Sequence, residues 1–283
     1  FAGTRVALAG LVLLAFLRLS GGVVRLSRRD AVLTLLTGAV MFIGGNGLLT
    51  FAERTVASGV AAVLAATTPL WMALLETAWP RGERLTGRGW LGLLLGLGGV
   101  ALLWCGQWRP NPVALLDAGP FLVLGSAAMW ALGSFLNRHG RSRAPHLTAA
   151  AYQMLFGGGG LALVGLATGE GGRLTAGCLT AEAVGAFFYL LIVGSLIGFV
   201  AFNWLLGHAS AALTGTYAYV NPVVALLVGW LLAGETPTAA VLGAVAIILL
   251  GVALVRLGGV RRSAQLSGQH RPTPRIDAVV TRR

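Results

Sequence analysis

The sequence predicts an all-α polytopic membrane protein built from inverted five-helix repeats. The plan has ten helices, and the chain lacks the first, leaving nine transmembrane helices. Three observations lead there. The chain is 56% hydrophobic and 11% charged, with a mean hydropathy of +0.80, whereas soluble domains carry about 25% charged residues. Apolar runs of roughly 20 residues, enough to cross a bilayer at ~1.5 Å per residue, recur along its length. Two of these runs have a proline near the middle in similar surroundings: Val63–Glu83, VLAATTPLWMALLETAWPRGE, and Leu213–Glu235, LTGTYAYVNPVVALLVGWLLAGE.

The expected spans are 1–19, 31–52, 56–79, 90–106, 114–136, 147–168, 181–207, 211–233 and 238–258. The first is apolar apart from Arg5, and the second carries Gly45 and Asn46. Pro69 sits in the third. The fourth holds Gly92-Leu-Leu-Leu-Gly96, the small-xxx-small spacing that lets membrane helices approach closely. The fifth ends in MWALGSFLNR, and the sixth contains Gln153. Gly194-Ser-Leu-Ile-Gly198 in the seventh repeats the small-residue spacing. The eighth carries Pro222, and the ninth ends in Gly251-Val-Ala-Leu254, as the fourth does in Gly99-Val-Ala-Leu102.

A proline inside a span has no N–H, so the carbonyl four residues earlier loses its helical partner and the helix kinks. For Pro222 that carbonyl belongs to Ala218. Lipid tolerates such a defect only where it faces protein or a water-filled cavity. A broken, polar helix at mid-membrane is the usual pointer to a transport site.

All 21 basic residues are arginine, and the formal net charge is +12. Seventeen arginines fall in the loops after spans one, three, five and seven and in the tail, against Arg54, Arg109 and Arg173 on the other side. This asymmetry puts the C-terminus in the cytoplasm and Phe1 outside. It also accounts for the positive charge without nucleic acid, which is not expected as a partner. Cys105 and Cys178 have neither disulfide-framework nor metal-ligand spacing.

A shift of 153 residues lays Gly45 on Gly198, Ala65 on Ala218, Thr68 on Asn221 and Pro69 on Pro222. A shift of 152 lays Gly82-Glu83 on Gly234-Glu235 and Thr86 on Thr238. The prolines lie five spans apart, and an odd number inverts the second copy relative to the first. The first repeat is 1–106 with four helices, the second 114–258 with five. An Arg-rich, disordered tail, 259–283, follows. The missing element is the partner of 114–136.

GNGLLTFAERTVASGVAAVLAATTPLW (45–71), MWALGSFLNR (129–138) and TYAYVNPVVALLVGWLLAGE (216–235) resemble EamA-type permeases of the drug/metabolite transporter superfamily. The resemblance runs from Phe1 to Leu257. It implies ten helices in two inverted repeats around a central cavity open alternately to each side. It implies secondary-active movement of small organic metabolites or drugs, usually outward, across a bacterial inner membrane. A coupling ion, the proton foremost, and a homodimer also fall within what it implies. The absent first helix leaves a second reading, an inactive truncated permease or non-transporting scaffold.

The candidate pathway comprises Asn46, Thr50, Thr67, Thr68, Pro69 and Trp71 from the first copy. The second adds Trp130, Ser134, Asn203, Tyr217, Tyr219, Asn221 and Pro222. Uncharged amides and hydroxyls orient a polar solute without trapping it, and aromatic faces hold an apolar or cationic moiety. The same groups also serve as hydrogen bonds between helices. Arg5 and Glu76 are candidates for charge coupling. Gln153 is the repeat-related counterpart of Arg5, and Glu76 is expected at the interface near Arg81 or Arg84. There is no HExxH, no P-loop and no carboxylate pair suited to acid/base work. No enzyme activity and no cofactor are expected.

Overall fold

The structure is a computed structural model and describes residues 1–56, 58–105, 118–140, 142–173, 180–221, 223–224 and 238–262. Helices stand at the expected spans. They are α1 (Ala2–Leu19), α2 (Arg28–Ala52), α3 (Ser58–Ala65), α4 (Thr68–Ala78), α5 (Gly87–Cys105) and α6 (Ala118–His139). They continue as α7 (His146–Ala167), α8 (Ala181–His208), the short α9 (Ala211–Gly215) and α10 (Ala239–Gly258). Among the described residues seven helices are long and apolar enough to cross a bilayer, with α3 and α4 counted as one, and α5 adds a shorter apolar stretch. The span expected at 211–233 is described only as far as residue 224. Pro222, Glu235, the linker 106–117 and the tail beyond 262 lie outside the described residues.

Helix starts follow from short polar side chains. Ser27 accepts from the Asp30 amide at 3.1 Å, Thr180 from Ala183 at 3.2 Å and Ser210 from Leu213 at 3.2 Å, satisfying donors that a first turn leaves without partners. At the far end Gly259, with φ 62°, turns the chain back. Val260–Arg262 (β2) then pairs antiparallel with Glu83–Leu85 (β1). The tail expected to be disordered from 259 therefore begins with three ordered residues, and a two-stranded ribbon interrupts the all-helical plan.

Two helix pairs pack backbone to backbone. A Cβ on Gly158 of α7 would lie 2.4 Å from the Ala7 amide nitrogen of α1, and one on Gly10 of α1 would lie 2.6 Å from that of Leu155. The residue numbers rise on one helix as they fall on the other (Gly3 meets Ala162, Gly10 meets Ala151), so the helices are antiparallel. The contacts are also reciprocal: a shift of 148 lays Gly10 on Gly158 and Ala7 on Leu155. In the second pair, Gly92 of α5 meets Gly251 of α10, and Gly99 meets Ala244. A shift of 152 exchanges these two contacts. Only glycine permits such approach, and in lipid this packing is a main source of helix association.

The helices between these pairs are less regular. Residues Ala39–Gly47 of α2 and Leu190–Ile197 of α8 wind as π-helix, a rare form frequently seen at functional sites. Under the 153-residue shift the two stretches overlap. The third span is broken at Ala66–Thr67, and α4 restarts with Pro69 in its first turn, where a missing N–H is tolerated. The carbonyl that Pro69 cannot serve is Ala65 O, and the Thr68 hydroxyl donates to it at 2.7 Å. In the eighth span a break falls at Thr216, and the defect expected from Pro222 lies outside the described residues. Thr67 and Thr216 share one geometry, each hydroxyl donating 2.6 Å to the carbonyl three residues back.

Candidate functional site

The irregular elements converge on an aromatic group. Trp130 of α6 stands edge-on to Phe42 in the π-stretch of α2, with centroids 5.9 Å apart. It meets Phe199 at 6.2 Å and Phe202 at 5.7 Å, both on α8 just past its own π-stretch. Tyr217 closes the group against Phe202 at 5.3 Å. Gly45 gives the indole room, since a Cβ there would meet Trp130 Cε3 at 3.2 Å. The indole Nε1 is buried and has no hydrogen-bond partner among the described residues. A buried donor left in this state is costly, so the group is suited to a guest that offers an acceptor beside an apolar or cationic moiety.

Polar residues flank the group toward one end of the bundle. Ser134 donates to Trp130 O at 2.7 Å. Asn203 accepts from Asn137 at 2.8 Å and donates to Phe199 O at 3.1 Å. A crevice lined by Met72, Glu76, Ser134, Phe135, Arg138 and Leu206 lies beyond Ser134 and is too tight for a water molecule. At its rim Glu76, 2% exposed, accepts from His139 Nε2 at 2.8 Å and lies 3.6 Å from Arg138 Nε. Its second oxygen accepts from the Glu83 amide at 3.0 Å. Arg138 also pairs with Glu83 and donates to Leu206 O at 3.1 Å and Ala209 O at 2.6 Å. Glu83 in turn accepts from the Ala211 amide at 3.1 Å.

The expectation for Glu76 is thus corrected. Its partners are Arg138 and His139, because α6 packs along α4 and ends there, whereas Arg81 and Arg84 point into the surroundings beyond the turn. Arg5 has no acidic partner among the described residues. It crosses to α8 and donates to Leu190 O at 3.0 Å and Ser195 Oγ at 3.1 Å, where the π-stretch begins and continues. Gln153 donates to Thr37 at 2.9 Å.

The structure therefore brings Trp130 and Tyr217 together, with Ser134 and Asn203 beside them. The other candidates stand apart from this group. Tyr219 is fully buried between α5 and the eighth span, its hydroxyl donating 2.9 Å to Leu93 O. Thr68 and Pro69 pack in the break beside Gly215, Asn46 is half-buried, and Thr50, Trp71 and Asn221 are exposed. Phe42, Phe199, Phe202, Arg138 and Glu83 were not among the candidates. The spacing of Phe199 and Phe202 on one helical face, and the Asn-Arg-His that ends α6, were the signals available for them.

The chain is 36% identical over 260 residues to YedA of Escherichia coli K12, described as an uncharacterized inner membrane transporter, covering 91% of this chain and 81% of YedA. It is 29% identical over 250 residues to a probable terminal-alkyne amino-acid exporter of Streptantibioticus cattleyicolor, covering 88% and 81%. A solved crystal structure superposes with a TM-score of 0.76 at 22% identity, over 90% of this chain and 86% of its own, which shows a common fold. The EamA-like transporter family matches residues 1–105 and 117–257, and this multi-pass membrane protein belongs to that family.

Proposed function

We propose that the chain is a secondary-active transporter of the bacterial inner membrane that carries small organic solutes outward by alternating access. The observation that carries this reading is the Trp130 group. Aromatic rings from α2, α6, α8 and the eighth span meet there, around an indole N–H that has no partner among the described residues. The inverted-repeat plan draws support from the reciprocal antiparallel contacts of α1 with α7 and α5 with α10. A pseudo-twofold axis lying in the membrane plane would produce such contacts. The arginine asymmetry supports a cytoplasmic C-terminus, which places the Arg138 end of the bundle inside. Coupling is to an ion gradient, with the proton the first to examine.

The test is solute flux in proteoliposomes, run with and without a protonophore. The panel begins with amino acids, because one relative is described as an amino-acid exporter. Trp130→Phe keeps a ring but removes the N–H, and should lower kcat/KM about tenfold, the worth of one buried hydrogen bond. Unchanged flux in that variant would remove the indole from the pathway. No flux of any solute by the parent would leave the scaffold reading in its place.

A further inference from the structure

We infer that Glu83, Arg138, Glu76 and His139 form the gate that closes the Arg138 end of the pathway, and that Glu83 is its hinge pin. This rests on the transport reading above and adds to it where one of its two closures lies. The inference begins from position. The cluster draws together α4, the turn after it, the end of α6 and the α8–α9 corner, elements far apart in sequence. It borders a crevice that Ser134, one helical turn from Trp130, also lines and that is shut even to water.

Glu83 holds two moving parts at once. One oxygen pairs with the Arg138 guanidinium of α6, and the other accepts the first amide of α9. Arg138 fastens the same corner a second time through Leu206 O and Ala209 O. Planar arginine donors suit this work, because one guanidinium serves several acceptors in fixed directions. Glu76 positions the pin by accepting the Glu83 amide. Gly82 makes the turn tight enough, since a Cβ there would stand 1.9 Å from Glu76 O. Both carboxylates converge on one arginine, so the closure opens by breaking a small set of bonds. Asp30 on α2 is occupied by Ser27, Ser142 and the Arg143 amide.

The experiment uses full-length protein in which Cys105 and Cys178 are replaced. Ser134→Cys, buried behind the gate, reports access, and Arg84→Cys, exposed at the same end, reports orientation. Both are labelled with a membrane-impermeant maleimide in inverted vesicles. Glu83→Gln should speed labelling at position 134 about tenfold while leaving position 84 unchanged, as expected when a charge-assisted bond is lost. Arg138→Lys, which keeps the charge but not the fork, should act in the same direction and stands in should Glu83→Gln fail to reach the membrane. Equal labelling of position 134 in parent and both variants would overturn the gate. The outcomes remain distinguishable: labelling that changes in a protein moving no solute would retain the closure and reject transport, whereas flux with unchanged labelling would do the reverse.

Discussion

Thr68→Val tests how the chain accommodates a proline in the middle of the membrane. Pro69 offers no N–H to Ala65 O, and the Thr68 hydroxyl fills that role at 2.7 Å from a side chain only 4% exposed. Valine matches threonine in shape, so the substitution removes the donor and little else. The carbonyl is then left without a partner. Hydrogen bonds of this kind within membrane proteins are worth about 0.6–2 kcal/mol, and about 1 kcal/mol, a factor of roughly 5 in the folding equilibrium, is the expected loss. Reversible unfolding by SDS in mixed micelles measures it. The decisive comparison is the same substitution in a Pro69→Ala background, where residue 69 regains an N–H for Ala65 O. There Thr68→Val should cost almost nothing. An equal cost in both backgrounds would show that the hydroxyl does not substitute for the missing amide, and the account of the break would fail.

Two further outcomes follow from the packing. Gly251→Ala would place a Cβ 2.6 Å from the Gly96 amide nitrogen, forcing α5 and α10 apart at a cost of about 1–3 kcal/mol. Gly243→Ala, whose Cβ would meet nothing within 4 Å, should be neutral or slightly stabilising. Thermal unfolding in detergent separates the two, and similar shifts would refute the close-packed interface. Tyr219→Phe removes the bond to Leu93 O and should lower stability by about 1 kcal/mol while flux stays at the parental rate; a flux loss at normal stability would return Tyr219 to the pathway.

Much of the scaffold was legible because membrane insertion depends on length and hydropathy, which a single chain displays directly. Span 181–207 became Ala181–His208, and span 147–168 became His146–Ala167. The glycine spacing at Gly92 and Gly96 pointed to a close helix contact, and Gly92 sits in one. The site was less legible. Polarity drew attention to Tyr219 and Asn221, yet a hydroxyl near a proline serves packing as readily as transport, and only tertiary position distinguishes them. The spacing of Phe199 and Phe202 put them on one helical face, but hydropathy does not say whether that face meets lipid or the bundle. Arg138 was counted as a loop charge. Its role depends on two carboxylates 62 and 55 residues earlier, a coincidence that sequence spacing alone does not reveal.

The distribution of regular and irregular helix bears on where a conformational change can occur. The α1–α7 and α5–α10 pairs meet at backbone contact through glycines, and sliding them would lose close packing along much of their length. Their cohesion makes each pair a rigid strut. The defects all lie elsewhere: the π-stretches of α2 and α8, the break at Thr67 and the break at Thr216. At these points helical hydrogen bonds are already rearranged, so a change of bend sacrifices few of them. Phe42 sits within one such segment, Phe199 and Phe202 follow another, and Tyr217 follows a third. The rings around Trp130 are therefore carried on or beside the segments that bend most easily, and not on the struts. Under the proposed transport reading, access to Trp130 changes without dismantling either strut, and that separation is what alternating access demands of a helical bundle.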